Sequence, residues 1–582
     1  MKSKKFTYLI VAIILISNIS IFAQKFNNTD YSVFDEMEIN YAVVVKQSTY
    51  DDSVWQIVTD SLLAKYQGQL FLWTDSLNEI KDSIAVFQPT HIGFVCEFST
   101  ASSVFIKDFV WNFVRELDDD DYCDAIWGII TGYEAEDALN LVTGSDGFDV
   151  KTVLGGTTSC DLVYYTQGIS TSETTYGSYF IKYPDSSGTT AFTDGPEDRV
   201  RWLVTMINQG IDIFDYDPVD IFYTSGHGNY NEWQLHYPTS GLEGFFRSKN
   251  GQAYGDSYRY GLRDSNIISN NPKIYFGIGN CLIGKIVDGS SMAPSWIHTG
   301  GAYQYTGYVI NEGSSSHQHG GTKAYFYKVA RNFTWAESYF LANQALKFDI
   351  INNTPGTNPP DLNGSALYGD PGMQVKMSNE GVFREPLFTS ELTINEGGAK
   401  DTVTFKITMN REGTPGFSSK WGERHPAIIL PFYAGNIEIL NTDAIEVVVE
   451  DNFALMYIWY QGEPSLAEGE TREVVFLYNN FDTGIDKPVL QKSEKTDILL
   501  YQNNPNPFNE NTEIRGFLPQ KYNNSVIKIY SENGLCLKTY KINNTGEFNI
   551  IINGNEFSPG LYIYSLIVNN QVIDSKRMII NN

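Results

Sequence analysis

Val219-Asp220-Ile221-Phe222-Tyr223-Thr224-Ser225-Gly226-His227-Gly228 and Lys273-Ile274-Tyr275-Phe276-Gly277-Ile278-Gly279-Asn280-Cys281 are the two stretches on which the fold of this chain turns. Each is a short apolar run followed by glycine and by a residue able to do chemistry. In a parallel sheet the carboxyl ends of the strands open onto the crevice where ligands bind. His227 and Cys281 are then expected side by side at one sheet edge, although they lie 54 positions apart in the chain. A cysteine nucleophile needs a base within hydrogen-bond reach to raise its thiolate fraction. Glycines beside the histidine leave room for a substrate backbone and let an amide N–H face a reacting carbonyl. Taken singly, each residue also has a bland explanation. A cysteine on an apolar strand is more often packing, and a lone histidine is more often structural.

Outward from these strands the chain alternates. Apolar strands are expected at 42–45, 69–73, 91–96 and 125–130. Helical periodicity lies between them at 53–66, 76–84 and 103–117. Such alternation implies βαβ units and a parallel sheet. Residues 146–194 are rich in Gly, Ser and Thr and give no assignment. The pattern then resumes, with helices at 197–209, 324–330 and 336–347 and strands at 219–223, 273–278 and 302–309. After Met377 the period becomes two: Val403, Phe405, Ile407 and Met409 alternate with Thr402, Thr404, Lys406 and Thr408. That is the mark of half-buried strands, and 380–481 is read as an Ig-like β-sandwich.

Composition bounds the function. The chain has 582 residues, 42% hydrophobic and 19% charged, with a net charge of −28. It is globular, with material for several domains. The acidity argues against nucleic acid, whose phosphates call for Lys and Arg. Lys2, Lys4 and Lys5 precede an apolar run from Tyr8 to Ile16, and Ala23 offers a cleavage point, so 1–23 is expected to be a signal peptide. The apolar run is too short to span a bilayer, and no transmembrane anchor is expected after processing. The cysteines are Cys96, Cys123, Cys160, Cys281 and Cys536. An odd count in an oxidising compartment leaves at least one thiol unpaired within the chain.

The segment after the polar linker 482–497 carries three signals in order. It opens with Asn504-Pro505-Asn506-Pro507-Phe508-Asn509, continues to Ser558-Pro559-Gly560-Leu561-Tyr562-Ile563-Tyr564, and ends with Lys576-Arg577 before Met578-Ile579-Ile580. Residues 498–582 closely resemble the type A C-terminal sorting domain of type IX secretion cargo. The resemblance implies export across a Gram-negative outer membrane by the type IX machinery. The mature protein is then released or held at the cell surface.

A second resemblance covers residues 115–377. Its pieces are Asp118-Asp119-Asp120-Asp121, Asp124-Ala125-Ile126-Trp127-Gly128 and Gly132-Tyr133-Glu134-Ala135-Glu136-Asp137-Ala138. They continue with Gly226-His227-Gly228 and Trp233, Asn280-Cys281-Leu282-Ile283-Gly284, Gly300-Gly301-Ala302 and Leu367-Tyr368-Gly369-Asp370-Pro371. In that order they resemble gingipain-type cysteine peptidases, relatives of the caspases. The resemblance implies His227 as general base and acid and Cys281 as nucleophile. The amides of Gly228 and Cys281 would form the oxyanion hole, and peptides would be the substrates. No cofactor is required, but Asp118, Asp120 and Asp124 could hold Ca²⁺ through their carboxylates. Two departures stand out. Little chain separates Gln24 from the first strand, so the family's long pro-domain is missing, and 234–272 shows no recognisable specificity pocket.

The expectation is therefore a multidomain chain, with a caspase-like, mostly parallel α/β catalytic region followed by two all-β sandwich domains. An N-terminal α/β subdomain is placed at 30–194 and the catalytic subdomain at 195–379. A catalytically inactive surface binding or adhesion protein on the same scaffold is the rival expectation. A metal hydrolase using His317 and His319 is a third.

Overall fold

The computed structural model describes residues 23–27, 39–237 apart from 159 and 173–174, and 241–311 apart from 262 and 278. It also describes 333–354, 359–395, 400–415, 423–480 apart from 461, and most of 498–580. The expected signal peptide (Ala23 excepted), the helix at 324–330, His317, His319 and the linker lie outside the described residues.

One twelve-stranded sheet organises the α/β region. Its strands are β1 (Tyr41–Lys46), β2 (Gln69–Trp73), β3 (His91–Val95), β4 (Ile126–Ile130), β5 (Thr152–Gly155) and β6 (Gln167–Thr171). They continue as β7 (Tyr179–Lys182), β8 (Thr190–Phe192), β9 (Ile221–Tyr223), β10 (Lys273–Gly277), β11 (Ala302–Tyr308) and β12 (Ser365–Tyr368). The spatial order is β8-β7-β6-β5-β9-β10-β11-β12-β4-β3-β1-β2. Strands β5, β6, β9, β10 and β11 pair in parallel. So do β2, β1, β3 and β4. Strand β12 is antiparallel to β11 and parallel to β4, so the four N-terminal strands run against the strand pair that bears His227 and Cys281.

The apolar runs are continuous because both sheet faces are buried. In β1, Ala42 and Val44 enter the main core, while Tyr41, Val43 and Val45 pack on the opposite face against Trp55, Val58 and Leu62. Those three come from α1 (Ser53–Tyr66), which starts where the Asp52 carboxylate accepts the amides of Val54 and Trp55 and stops at Gln67 in a left-handed conformation. The stretch 103–117 departs from a regular helix: Phe105–Val110 is a π-helical turn leading into Trp111–Phe113. The unassigned stretch 146–194 supplies β5 to β8, and β5 pairs with β9. A division at 194/195 thus falls within one continuous sheet.

The Gly-Asp-Pro stretch holds the two halves of this sheet together. The Gly369 amide donates to Ile129 O at 2.8 Å. Asp370 is fully buried, and its carboxylate accepts from the Tyr41 hydroxyl (2.9 Å), the Tyr66 hydroxyl (2.7 Å), Lys65 Nζ (3.1 Å) and the Gly372 amide (3.0 Å). A β-carbon on Gly128 would lie 2.5 Å from Gly369 O, so the close approach of β4 requires glycine there.

After Met377 the chain forms two antiparallel sheets, one containing Phe388–Asn395, Asp401–Met409, Thr471–Asn480 and Ala434–Thr442 and the other Ala427–Ile429, Phe453–Tyr457 and Glu446–Val449. The backbone of Ala23–Asn27 adds an edge strand against Phe388–Asn395. The second sheet also packs on the α/β region: Ala427, Ile429, Phe453, Leu455 and Tyr457 belong to the main core.

Replacing Asp370 by Ala leaves the buried Tyr41 hydroxyl and the half-buried Tyr66 hydroxyl without this acceptor and takes the carboxylate from Lys65, whose ammonium keeps its hydrogen bonds to the carbonyls of Val142 and Ser145. This change is expected to cost about 3–5 kcal/mol in chemical denaturation of the α/β region. Asp146, an exposed partner of Lys65 at 3.8 Å, serves as the control, and its replacement by Ala is expected to cost under about 0.5 kcal/mol.

Candidate active site

The register of β9 on β10 pairs Ile221 with Ile274, Phe222 with Tyr275 and Tyr223 with Phe276. Beyond the strands the Thr224 amide donates to Phe276 O (3.0 Å) and the Gly226 amide to Gly279 O (3.2 Å). Gly226 and Asn280 then form an isolated parallel bridge, which carries His227 and Cys281 out of the sheet as neighbours. Gly226 and Gly279 have φ of +102° and +113°, values at which a β-carbon would strain the backbone.

Each loop is fastened from behind. The His227 carbonyl accepts from the Gln234 amide (2.9 Å), and Gly228 pairs with Trp233. The Trp233 indole is fully buried and donates to Ser225 O at 2.8 Å. Gly156 makes room for that ring, since a β-carbon there would meet it at 2.3 Å. A β-carbon on Gly228 would lie 3.1 Å from Asn280 Cβ and 3.2 Å from Cys281 O, so the Gly228 backbone packs on that of Asn280 and Cys281. The Cys-x-x-Gly turn has its own backbone cause. Leu282 adopts φ +56° and its amide donates to Ile310 O (3.0 Å), while the Gly284 amide donates to Tyr308 O (2.8 Å). A β-carbon on Gly284 would lie 2.5 Å from Gly307 O, so only glycine lets the turn lie against β11.

Among the described cysteine side chains, Cys96, Cys123 and Cys160 are buried thiols and Cys281 is the partly exposed one. Burial pushes the Cys96 thiol up to about 12 and that of Cys123 up to about 11. Neither ionises near neutral pH, which leaves Cys281 as the accessible thiol of the four. His227 is exposed. The stretch 234–272, opaque in the sequence, is mostly an antiparallel sheet: Gly228–Asn229, Glu232–Tyr237, Gly241–Lys249, Gln252–Ser257 and Arg263–Asn266. It begins at the histidine loop and forms a wall beside it. The buried Arg199–Glu243 pair, at 2.7 Å, ties this wall to helix Arg199–Gln209.

The acidic loop is also assembled. Asp118, Asp120 and Asp124 bring their carboxylate oxygens within 4.8 Å of one another. The sandwich faces this loop: Asn452 Nδ2 donates to Asp124 O (2.8 Å), and the Tyr433 hydroxyl donates to Pro89 O (2.8 Å). Burial, and then the charges of Asp118 and Asp120, push Asp124 up to about 9 and Asp451 up to about 8. Burial and the Asp120 charge push Glu450 up to about 8. Glu450 and Asp451 carry no signal in the sequence, because only the docking of the sandwich brings them to this loop. Together these oxygens are of the kind that could hold a hard cation.

The C-terminal segment is a third folded body. It has its own core around Ile514, Ile527, Ile529, Tyr564, Leu566 and Met578. A family model described as a secretion system C-terminal sorting domain matches residues 504–581. Residues 504–581 are a secretion sorting domain. The protein is therefore a secreted or cell-surface protein, and this domain is the part that engages the type IX secretion machinery. Within the sorting domain the opening motif is knitted to the later ones. The Asn503 amide donates to the Tyr564 hydroxyl (2.6 Å), and the Phe508 amide donates to Ile579 O (3.0 Å).

Among solved structures the chain is similar to the Arg-specific cysteine proteinase gingipain R. The identity is 9% and the TM-score 0.34, over 94% of this chain and 99% of that one. It is also similar to dimeric latent PorU from Porphyromonas gingivalis, at 9% identity and a TM-score of 0.22, over 93% of this chain and 64% of that one. No curated protein matches the chain. Among the described residues no helix is long and apolar enough to cross a membrane.

Carboxyls whose folded pKa is raised bind protons that the unfolded chain has lost, so they weaken folding as pH rises from about 4 to about 9. In chelator, Asp124→Asn and Glu450→Gln should therefore gain thermal stability over the parent as pH increases from 5 to 9; melting temperatures in parallel buffers test this. Deleting 498–582 should leave the α/β region folded but retained inside the cell, as fractionation would show. Normal extracellular levels of the truncated chain would contradict it.

Proposed function

We propose that this protein is a secreted cysteine endopeptidase with His227 and Cys281 as its catalytic pair. The observation that carries the reading is the bridge between the ends of β9 and β10. It seats the Gly228 backbone on Asn280 and Cys281, and Cys281 is the partly exposed thiol among the four described cysteine side chains. The order of motifs from Asp118 to Pro371, which resembles gingipain-type peptidases, supports the same reading.

In this mechanism His227 takes the proton of the Cys281 thiol. The thiolate attacks the scissile carbonyl, and the oxyanion that forms is bound by the amides of Gly228 and Cys281. His227 returns the proton to the leaving amine, and a thioacyl enzyme remains. His227 then deprotonates a water, which attacks the thioester carbonyl, releases the acid product and restores the thiol. The wall built from 232–266 flanks the histidine loop, where an extended substrate would lie. We further propose that Asp118, Asp120 and Asp124 bind Ca²⁺, with Glu450 and Asp451 adding negative charge. The cation would offset the carboxylate repulsion and lock the sandwich to the α/β region. Added Ca²⁺ should then flatten the pH dependence of stability that these carboxyls cause.

The test combines hydrolysis with thiol labelling. Cys281→Ala should remove peptidase activity by several orders of magnitude with little change in melting temperature. A thiol-reactive probe should label Cys281 in the parent, and His227→Ala should slow that labelling near neutral pH. Peptide hydrolysis retained in Cys281→Ala would overturn the assignment. A folded parent that neither hydrolyses peptides nor labels at Cys281 would favour the binding-protein reading.

A further inference from the structure

The two strand ends that carry His227 and Cys281 do not stay in register by regular backbone pairing. Two residues lie between Tyr223 and Gly226, but three lie between Phe276 and Asn280, the pairs on either side of the break. One extra residue is therefore accommodated in the second strand end, where the Asn280 amide turns back to Gly277 O (3.1 Å). Past this bulge the Gly226 amide reaches Gly279 O at 3.2 Å, a long bond at the very edge of the sheet. Bulges re-aim the side chains that come after them, so something must set the aim here.

The Asn280 side chain does this. Its Nδ2 donates to Gly226 O (3.3 Å), and its Oδ1 accepts from the Thr224 hydroxyl (2.9 Å). The Thr224 hydroxyl is also 3.1 Å from that of Tyr275. Asn280, Thr224 and Tyr275 are all fully buried. One carboxamide thus bonds to the histidine strand end at two points, and it sits next to Cys281 in the chain while Gly226 sits next to His227. The site needs a donor and an acceptor on one short side chain. Aspartate would set a carboxylate against the Gly226 carbonyl, and an apolar residue would leave buried polar groups unpaired.

We infer that Asn280, buttressed by Thr224, is a positioning residue that sets the placement of His227 relative to Cys281 and thereby the reactivity of the thiol. This rests on the peptidase reading for its consequence in catalysis, but its primary readout is independent of hydrolysis. Small displacements at a reacting pair cost on the order of 100-fold in rate.

The experiment measures iodoacetamide alkylation of Cys281 from pH 5 to 9 in the full chain, by mass spectrometry of its peptide, with a melting curve for each variant. The set is parent, Asn280→Ala, Asn280→Ser, Thr224→Val, Thr224→Ser, His227→Ala and Asn280→Ala/His227→Ala. Asn280→Ala and Thr224→Val should lose about tenfold or more of the near-neutral rate and take on the pH profile of His227→Ala. Thr224→Ser should keep the parent profile, and the double variant should be no slower than His227→Ala alone, since both changes act through His227. An amide needed only for folding would lower the melting temperature and leave the pH profile unchanged. If Asn280→Ala does not fold, Asn280→Ser and Thr224→Val decide. Folded Asn280 variants with the parent profile, or losses that add in the double variant, overturn the inference and leave the peptidase reading standing. The expected alkylation pattern in a parent that hydrolyses no peptide would sustain the positioning role and remove the peptidase reading.

Discussion

Only three residues of β9 are registered against β10, yet that short parallel contact places both the core behind the site and the site itself. It sets Phe222 against Tyr275 in the core and brings Gly226 beside Asn280 at the edge. A slip of one residue would exchange side chains between two differently packed faces and move His227 away from Cys281 in the same step. The packing of the core and the placing of His227 near Cys281 therefore depend on the same register. The glycines and the buried Trp233 around the loops make sense on these terms, because they hold the loops where the register has put them.

The same logic extends outward. The sheet could part between β12 and β4, where one residue pair, Tyr368 with Ile129, is registered. Asp370 closes that seam by gathering hydroxyls and an ammonium from β1 and α1. The sandwich is joined just as firmly. Its inner strands share the main core, Phe348 stacks on Tyr457, and His425 Nε2 meets Asp349 Oδ1 at 2.9 Å. The α/β region and the sandwich share a core, whereas the sorting domain keeps a core of its own. A separate core suits a domain that addresses the chain for export.

Much of the fold was legible in the residues. The apolar strands at 42–45, 69–73 and 91–96 and the helix at 53–66 were plain because a sheet buried on both faces demands unbroken apolar runs, and α1 carries a clear cap at Asp52. The period-two run at 402–409 marked a half-buried strand for the same kind of reason. What stayed hidden were elements held by partners distant in sequence. Strands β5 to β8 are only three to five residues long, too short to show a period, and they are strands because β5 pairs with β9 and each of the others pairs with the one before it. The wall from 232 to 266 is strand because Gly244 and Gly255 let it pack closely on Val200 and Val204.

By itself the sequence determined the secretion address, the chemistry available at His227 and Cys281, and the alternation that makes an α/β sheet. All three are written in local patterns: motif order, residue type and periodicity. Tertiary structure alone decided that Cys281 is the accessible thiol among the four described cysteine side chains, that Glu450 and Asp451 join Asp118, Asp120 and Asp124, and that Asn280 bridges the two strand ends. Exposure, charge accumulation and a hydrogen bond across a bulge depend on distances in space. Local sequence carries no term for those distances until the chain has closed on itself.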